Sequence, residues 1–431
     1  MAGGVGSRLA PLTRDRAKPA VPFGGQYRII DFTLSNCLHS GLRQVYVLTQ
    51  YKSHSMQTHL QNAWSHSRTD LGEYVTAVPP QMFTSDCWYT GTANALYQNI
   101  DLIRRSGAKN LIVLSGDHVY RMDYAGILEQ HEQSEADLTI ACMEVDRRDA
   151  QSLGVMGVEP CLRIREFVEK PATPPTIPGK SDRSLASMGI YVFKTDVLPR
   201  ELFADACDDG STHDFGNDLM PRLIHSHRVF GYPFGSESDQ REFRYWRDVG
   251  TIDAYYEASM DLTTHDPLMD LHYGSWPIRK YERPAPPARV CRDSFGLAGE
   301  VMDTVLSNGV IVRGGIVERS VLSPGVRVES GALVEDAVLF DGVQIGQSSI
   351  VRRCIIDKNV IVPDGETVGV DADKDAARFA ISPAGVVVVP KGYVFDRPTI
   401  QRVPRPMRLN RSPVTQNRHP RLLETSTHSN L

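Results

Sequence analysis

The chain has 431 residues, 41% apolar and 23% charged, a composition that can bury a core and excludes a chain disordered throughout; at about 100–200 residues per domain, two or three domains are expected. The net charge of −5 (47 Lys and Arg against 52 Asp and Glu) speaks against a globally basic nucleic-acid binder, yet residues 397–431 hold seven Arg and one acid, Glu424, leaving that extension at +6 and the rest at −11. No apolar run approaches the roughly 18 residues of a membrane span, no signal-peptide pattern opens the chain, and seven scattered Cys without a Cys-x-x-Cys pair suit a reducing cytoplasm rather than a disulfide or zinc framework.

Residues 1–260 alternate β-rich and helix-like runs. Strands are expected at 44–50, 111–115, 137–143, 164–168 and 190–193, and helices at 53–64 and 124–133. That order predicts an α/β layered, Rossmann-like domain with a mostly parallel sheet over 1–276. Four prolines between 277 and 293 predict an extended connector over 277–299. Four segments then align without gaps, starting at 305, 321, 338 and 355, each with apolar residues flanking a polar or glycine corner. A fixed spacing of 16 or 17 fits neither a helix nor a hairpin sheet, but fits coils of three short strands, so 300–395 is expected to be a parallel β-helix. Residues 396–431, rich in Arg, Pro, Ser and Asn, are expected to form a disordered basic tail, with a partner-binding arm as the sharper alternative.

Five motifs carry chemistry. Gly3, Gly4 and Gly6 lie in a short run ending in Arg8, where backbone N–H groups can converge on phosphate oxygens and a guanidinium can pair with them. The run is neither a Walker A loop nor a dinucleotide fingerprint, and alone it would equally suit a flexible terminus. Lys18, stiffened by Pro19 and preceded by Arg16, can neutralise charge on a transferring phosphate, although a solvated basic turn has the same composition. Asp117, directly after a buried strand, is placed to hold Mg²⁺ beside a polyphosphate, or simply to cap a turn. Glu169 and Lys170 suit sugar hydroxyls and a phosphate monoester, or an ordinary surface pair. Asp248 is a candidate second metal ligand.

Together these stretches resemble the glucose-1-phosphate adenylyltransferase (ADP-glucose pyrophosphorylase) family, bacterial type, from about residue 2 to about residue 394. AGGVGSRLAPLT (2–13), RAKPAVPFGG (16–25), SGDHVYRMDY (115–124), FVEKPATPP (167–175) and YWRDVGTIDAYY (245–256) carry the match. The resemblance implies a nucleotidyltransferase domain followed by a left-handed β-helix, and the reaction of Mg-ATP with α-D-glucose 1-phosphate to give ADP-glucose and pyrophosphate for glycogen (α-glucan) synthesis. It implies that Gly3, Gly4, Gly6 and Arg8 bind the triphosphate and Gln50 reads adenine. Lys18 would stabilise the transition state, Asp117 and Asp248 would hold Mg²⁺, and Tyr89, Gly154, Glu169, Lys170 and Ser187 would bind the sugar phosphate. A homotetramer with sugar-phosphate or nucleotide effectors is implied too, with Arg16, Arg28 and Lys391 as the anion site. Asp15, where relatives often carry Lys, predicts weak or altered activation.

The family also leads into its glycine loop with an apolar strand. Only Met1 and Ala2 precede Gly3 here, which predicts a polypeptide starting upstream, and weak ATP binding or inactivity of the short form. Competing readings are a non-catalytic regulatory subunit, a related enzyme using another NTP, a bifunctional acyltransferase and a purely structural repeat protein. The first is disfavoured by the presence of Arg8, Lys18, Asp117, Lys170 and Asp248. The acyltransferase is disfavoured because no His, the usual general base, occurs between His272 and His419.

Overall fold

A computed structural model describes residues 1–65, 69–81, 88–235, 243–281 and 284–396; the basic tail expected at 396–431 lies almost wholly outside them. The first half contains strands β1 (Pro22–Phe23), β2 (Tyr27–Arg28), β3 (Gln44–Leu48), β4 (Tyr74–Val78), β5 (Asn110–Leu114), β6 (His118–Tyr120) and β7 (Leu138–Asp146). It continues with β8 (Gly154–Val158), β9 (Ile164–Glu169), β10 (Arg183–Lys194), β11 (Val229–Pro233) and β12 (Trp246–Asp248). The helices are α1 (Ile29–His39), α2 (Ser53–Trp64), α3 (Thr92–Tyr97), α4 (Ile100–Ser106), α5 (Ala125–Gln133), α6 (Leu198–Ala206), α7 (Met220–Ser226) and α8 (Ile252–Asp261).

The central sheet runs β11-β7-β10-β8-β9, with β5 also on β10. Side chains alternate across a strand, so β10 feeds two cores. Tyr191 and Phe193 pack with α3, α6 and α7, while Ile190 and Val192 pack with Tyr124 and Ile127 on the α5 side. Helices therefore cover both faces, which is the expected α/β layering. Ladder directions differ between the two halves of the chain. The first half is mixed: β3–β4 and β11–β7 are parallel, whereas β10 runs antiparallel to β5, β7 and β8. The reason is local: the short turn from β8 to β9 makes a hairpin, and β10 returns along β8 rather than crossing over a helix.

Met1 and Ala2 bridge the carboxyl ends of β3 and β5. Ala2 N–H donates to Leu48 O at 2.8 Å, the Met1 ammonium to Leu114 O at 2.7 Å, and Gly116 N–H to Met1 O at 3.0 Å. The glycine loop thus starts at strand carboxyl ends, where ligands of open α/β sheets gather.

The second half stacks short parallel strands in the register of the sequence alignment. Val305 pairs Val321, Val321 pairs Val338, and Val338 pairs Ile355. The row Val312, Val328, Ile345, Val362 points inward and is fully buried. Coil stacking already begins at Arg289–Cys291, which pairs with Ile311–Arg313, so the connector expected over 277–299 overlaps the first coil. Its proline-rich flanks concealed that three-residue strand. The preceding residues are also tied down: Trp276 donates to Asn36 Oδ1 at 3.0 Å and Arg279 N–H to Ser35 Oγ at 2.8 Å. Among the described residues no helix is long and apolar enough to cross a membrane.

Candidate active site

Two cavities of similar size flank Met1. One, about 450 Å³, is apolar and lies between β3 and β5. The other, about 430 Å³, is lined by Gly3, Gly4, Gly6, Arg8, Lys18, Gln50, Tyr89, Ser115, Asp117, Asp214 and Gly250. Converging polar groups distinguish the second as the candidate site.

The glycines have separate reasons. Gly6 has φ +65°, and a Cβ there would lie 3.0 Å from Lys18 Cβ; Thr13 Oγ1 donates to its carbonyl at 2.9 Å. Gly3 presses against Gln50, whereas Gly4 faces open space. Arg8 is exposed at the cleft and has no ion pair among the described residues, so its guanidinium is free for an anion.

The charged centre follows from a strand register. β12 pairs antiparallel with β6 so that Asp248 faces His118, which brings Asp248 beside Asp117. The buried Lys18 ammonium sits between the two carboxylates, 2.7 Å from Asp117 Oδ2 and 3.1 Å from Asp248 Oδ1. Burial would lower the Lys18 pKa, but Asp117 and Asp248 outweigh it and raise it. Burial would likewise raise the Asp117 pKa. The charges of Lys18 and His118, with hydrogen bonds from Lys18 and Ser115, instead hold it well below the usual carboxylate range. Asp117 is therefore ionised throughout the neutral range. Two hard-oxygen donors around a cation, with part of the Asp117 surface (28%) still open, form a set that fits a divalent ion completing its shell with water and phosphate oxygens.

Two residues of this centre lie inside the quoted motifs but were assigned no role from the sequence. His118, whose ring packs against Trp246 at 4.9 Å, places Nε2 3.7 Å from Asp117 Oδ1. Gly250 approaches the same pair closely: a Cβ there would lie 2.9 Å from Asp248 Oδ1 and 3.3 Å from Lys18 Nζ, so the ends of those side chains would have to shift.

The remaining candidates divide between this cleft and its neighbourhood. Gln50 and Tyr89 line the cleft and are paired: Tyr89 N–H donates to Gln50 Oε1 at 2.6 Å and Gln50 Nε2 donates to Tyr89 O at 3.2 Å. One N–H and one oxygen lone pair of Gln50 remain for other partners. Gly154 faces Glu169 across the β8–β9 ladder, and a Cβ there would lie 2.8 Å from Glu169 Oε2. Lys170 pairs with Glu169 and is largely exposed. Ser187 stands at a bulge of β10, where its Oγ accepts from Gly189 N–H at 3.2 Å. Asp214, absent from the sequence reading, joins the two groups. It accepts from Thr92 Oγ1 at 3.1 Å and from Gly216 N–H at 2.9 Å, and Gly216 abuts the Glu169 carboxylate. Burial, with Glu169 and Asp214 nearby, pushes the Tyr191 phenol up to about 12.

The expected effector cations are dispersed in role. Arg16 is buried and its fork is taken up by Asp357. Arg28 donates to Ala20 O at 2.5 Å, and burial lowers its pKa. Lys391 is exposed.

Comparison with known proteins agrees with both halves of this geometry. Residues 1–265 match the nucleotidyl transferase family, and residues 286–389 match the family described as GlmU-like, C-terminal hexapeptide. Glucose-1-phosphate adenylyltransferase 2 of Vibrio cholerae is 53% identical over 92% of this chain and 98% of its own length. The protein of the same name from Vibrio vulnificus strain CMCP6 is 55% identical over 92% and 98%. Glucose-1-phosphate adenylyltransferase of Methylococcus capsulatus is 46% identical over 90% and 92%. A nucleotidyltransferase half built around Lys18, Asp117 and Asp248, a hexapeptide β-helix, and identity of this level over nearly the whole chain place the protein in the glucose-1-phosphate adenylyltransferase family.

Proposed function

We propose that the protein transfers the adenylyl group of ATP to α-D-glucose 1-phosphate, releasing pyrophosphate and forming ADP-glucose for α-glucan synthesis. The observation that carries this reading is the Lys18 ammonium held between Asp117 and Asp248 at a glycine-lined cleft. A phosphate oxygen of the sugar phosphate attacks the α-phosphorus in line, and the bond to the pyrophosphate oxygen breaks. No covalent intermediate with the protein is needed, so positioning and charge neutralisation do the catalysis. Backbone N–H groups at Gly3, Gly4 and Gly6 and the free Arg8 fork hold the triphosphate. Lys18 neutralises charge at the transferring phosphorus, and Gln50, steadied by Tyr89, offers its spare amide edge to adenine. Tyr89, Gly154, Glu169, Lys170 and Ser187 form the sugar-phosphate subsite, in which Glu169 accepts from hydroxyls, Lys170 pairs with the phosphate and Gly154 leaves room for the Glu169 carboxylate. Asp117 and Asp248 would hold Mg²⁺, which when bound screens the polyphosphate charge.

The proposed organisation is a catalytic domain over 1–276, a connector over 277–299 whose strand Arg289–Cys291 already stacks on the coils, a β-helix over 300–395 and a basic tail over 396–431, in a cytoplasmic homotetramer. Phosphate-bearing effectors would bind weakly at Arg28 and Lys391, because Arg16 is committed to Asp357 and Asp15 repels them. The test is formation of ADP-glucose from Mg-ATP, with UTP and dTTP as competitors. ATP is expected to be preferred at least about tenfold, and Lys18→Ala or Asp117→Asn to lower kcat by about 10²-fold or more. Equal turnover of UTP, or an unchanged rate in Asp117→Asn, would defeat the proposal.

A further inference from the structure

Arg16 and Asp357 are 341 residues apart and both nearly inaccessible, at 4% and 2% exposure. Two parallel hydrogen bonds join them: Arg16 Nη1 to Asp357 Oδ2 at 3.0 Å and Nη2 to Oδ1 at 2.9 Å. Arg16 also donates to Leu12 O at 3.2 Å, and its guanidinium lies 5.9 Å from the Phe340 ring centroid. Asp357 is itself fixed on the β-helix, where its N–H donates to Val389 O at 3.0 Å and its Oδ1 accepts from Lys358 N–H at 2.6 Å.

A buried ion pair is a poor way to gain stability, because desolvation offsets most of the attraction. A bidentate pair does, however, fix both the position and the plane of the guanidinium. What it fixes here is the start of Arg16-Ala17-Lys18. The backbone N–H groups of residues 15–18 donate to no partner among the described residues. Only one residue separates the Arg16 anchor from Lys18, so the two Cα atoms lie within about 7 Å and a shift at Arg16 is passed on to Lys18. We propose that Asp357 is a positioning residue for the reaction: by clamping Arg16, the β-helix sets the pose from which Lys18 reaches between Asp117 and Asp248. This inference rests on the reading of Lys18 given above.

The experiment is a double-mutant cycle on the full chain, with thermal melts and gel filtration confirming each folded variant. Asp357→Asn is expected to lower kcat at least about tenfold while both KM values stay within about threefold; in the Lys18→Ala background the same change should alter the rate less than about twofold. Full kcat in folded Asp357→Asn, or an equal fold-loss in both backgrounds, overturns the proposal, because a purely structural bolt would act independently of Lys18. Should Asp357→Asn not fold, the neutral pair Arg16→Gln/Asp357→Asn is measured against the same two outcomes. Wild-type activity in Lys18→Ala alone overturns the Lys18 reading, and this inference with it. An inactive Lys18→Ala beside a fully active Asp357→Asn overturns this inference alone.

Discussion

Gly154 and Gly250 each stand where one added methyl would strike a carboxylate of the proposed site, Glu169 or Asp248, and their backbones need no left-handed conformation. They therefore distinguish the proposed sugar-phosphate subsite from the charged centre with minimal chemistry. Gly154→Ala would set a Cβ 2.8 Å from Glu169 Oε2 and 2.7 Å from Phe167 Cζ, displacing the carboxylate assigned to the sugar. Steady-state kinetics should show KM for glucose 1-phosphate rising about tenfold with a smaller change in kcat. Gly250→Ala pushes instead on Asp248 and Lys18, so kcat should fall about 10–100-fold with KM for the sugar phosphate nearly unchanged. The same split in both variants would mean that the two glycines do not report separate functions.

At the scale of elements, the β-helix was the more legible half. The gapless alignment of four segments coincides with the ladder register, and their corners fall at Gly309, Gly325, Gly342 and Asn359, with φ of 77°, 75°, 72° and 59°. Glycine and asparagine tolerate this left-handed conformation, which other residues adopt at about 1–2 kcal/mol. Gly325 has no atom within 4 Å of an added Cβ, so Gly325→Ala isolates the conformational cost, about 1 kcal/mol by urea unfolding. Gly342→Ala should cost more, because its Cβ would also meet Asn359 Oδ1 at 2.7 Å. If Gly325→Ala were as stable as the parent, corner geometry would not explain the repeat. The central sheet was less legible. The apolar run Ile190–Phe193 marked only the end of β10, whose earlier residues include Ser184, Ser187 and Gly189, poor strand formers around a bulge. Strand direction is not encoded in such a pattern, so the antiparallel partners of β10 are read only from its ladders. The motifs located Lys18, Asp117, Glu169 and Asp248, but Asp214 has no periodic or motif signal. Its place beside Glu169 arises only when the short helix Phe215–Leu219, which Asp214 caps, folds against β9.

For the molecule as a whole, the two halves share a core rather than hanging from a flexible link. Leu12, Phe23 and Tyr255 pack in one cluster with Val338, Phe340 and Ile355, and Tyr256 Oη donates to Asp336 O at 2.7 Å. Charge is buried along the same seam. Lys358 pairs with Asp341 at 2.6 Å, but it also faces Arg28 and Arg16, and burial with these cations lowers its pKa from 10.5 to about 8 despite Asp341. Below pH 8 both folded and unfolded chains hold this proton, and folding bears the cost of the buried ammonium. Between about 8 and 10.5 the folded chain has released the proton while the unfolded chain still binds it, so stability attributable to Lys358 rises with pH through that window. The gap corresponds to roughly 3 kcal/mol at its upper end. Lys358→Gln removes this dependence while leaving an amide to bond Asp341. Unfolding free energies at pH 7.5, 9 and 10.5 should therefore show the parent gaining on the variant as pH rises. A constant difference across the three would place the Lys358 proton outside the folding equilibrium and leave the seam's cations balanced by Asp341 and Asp357 alone.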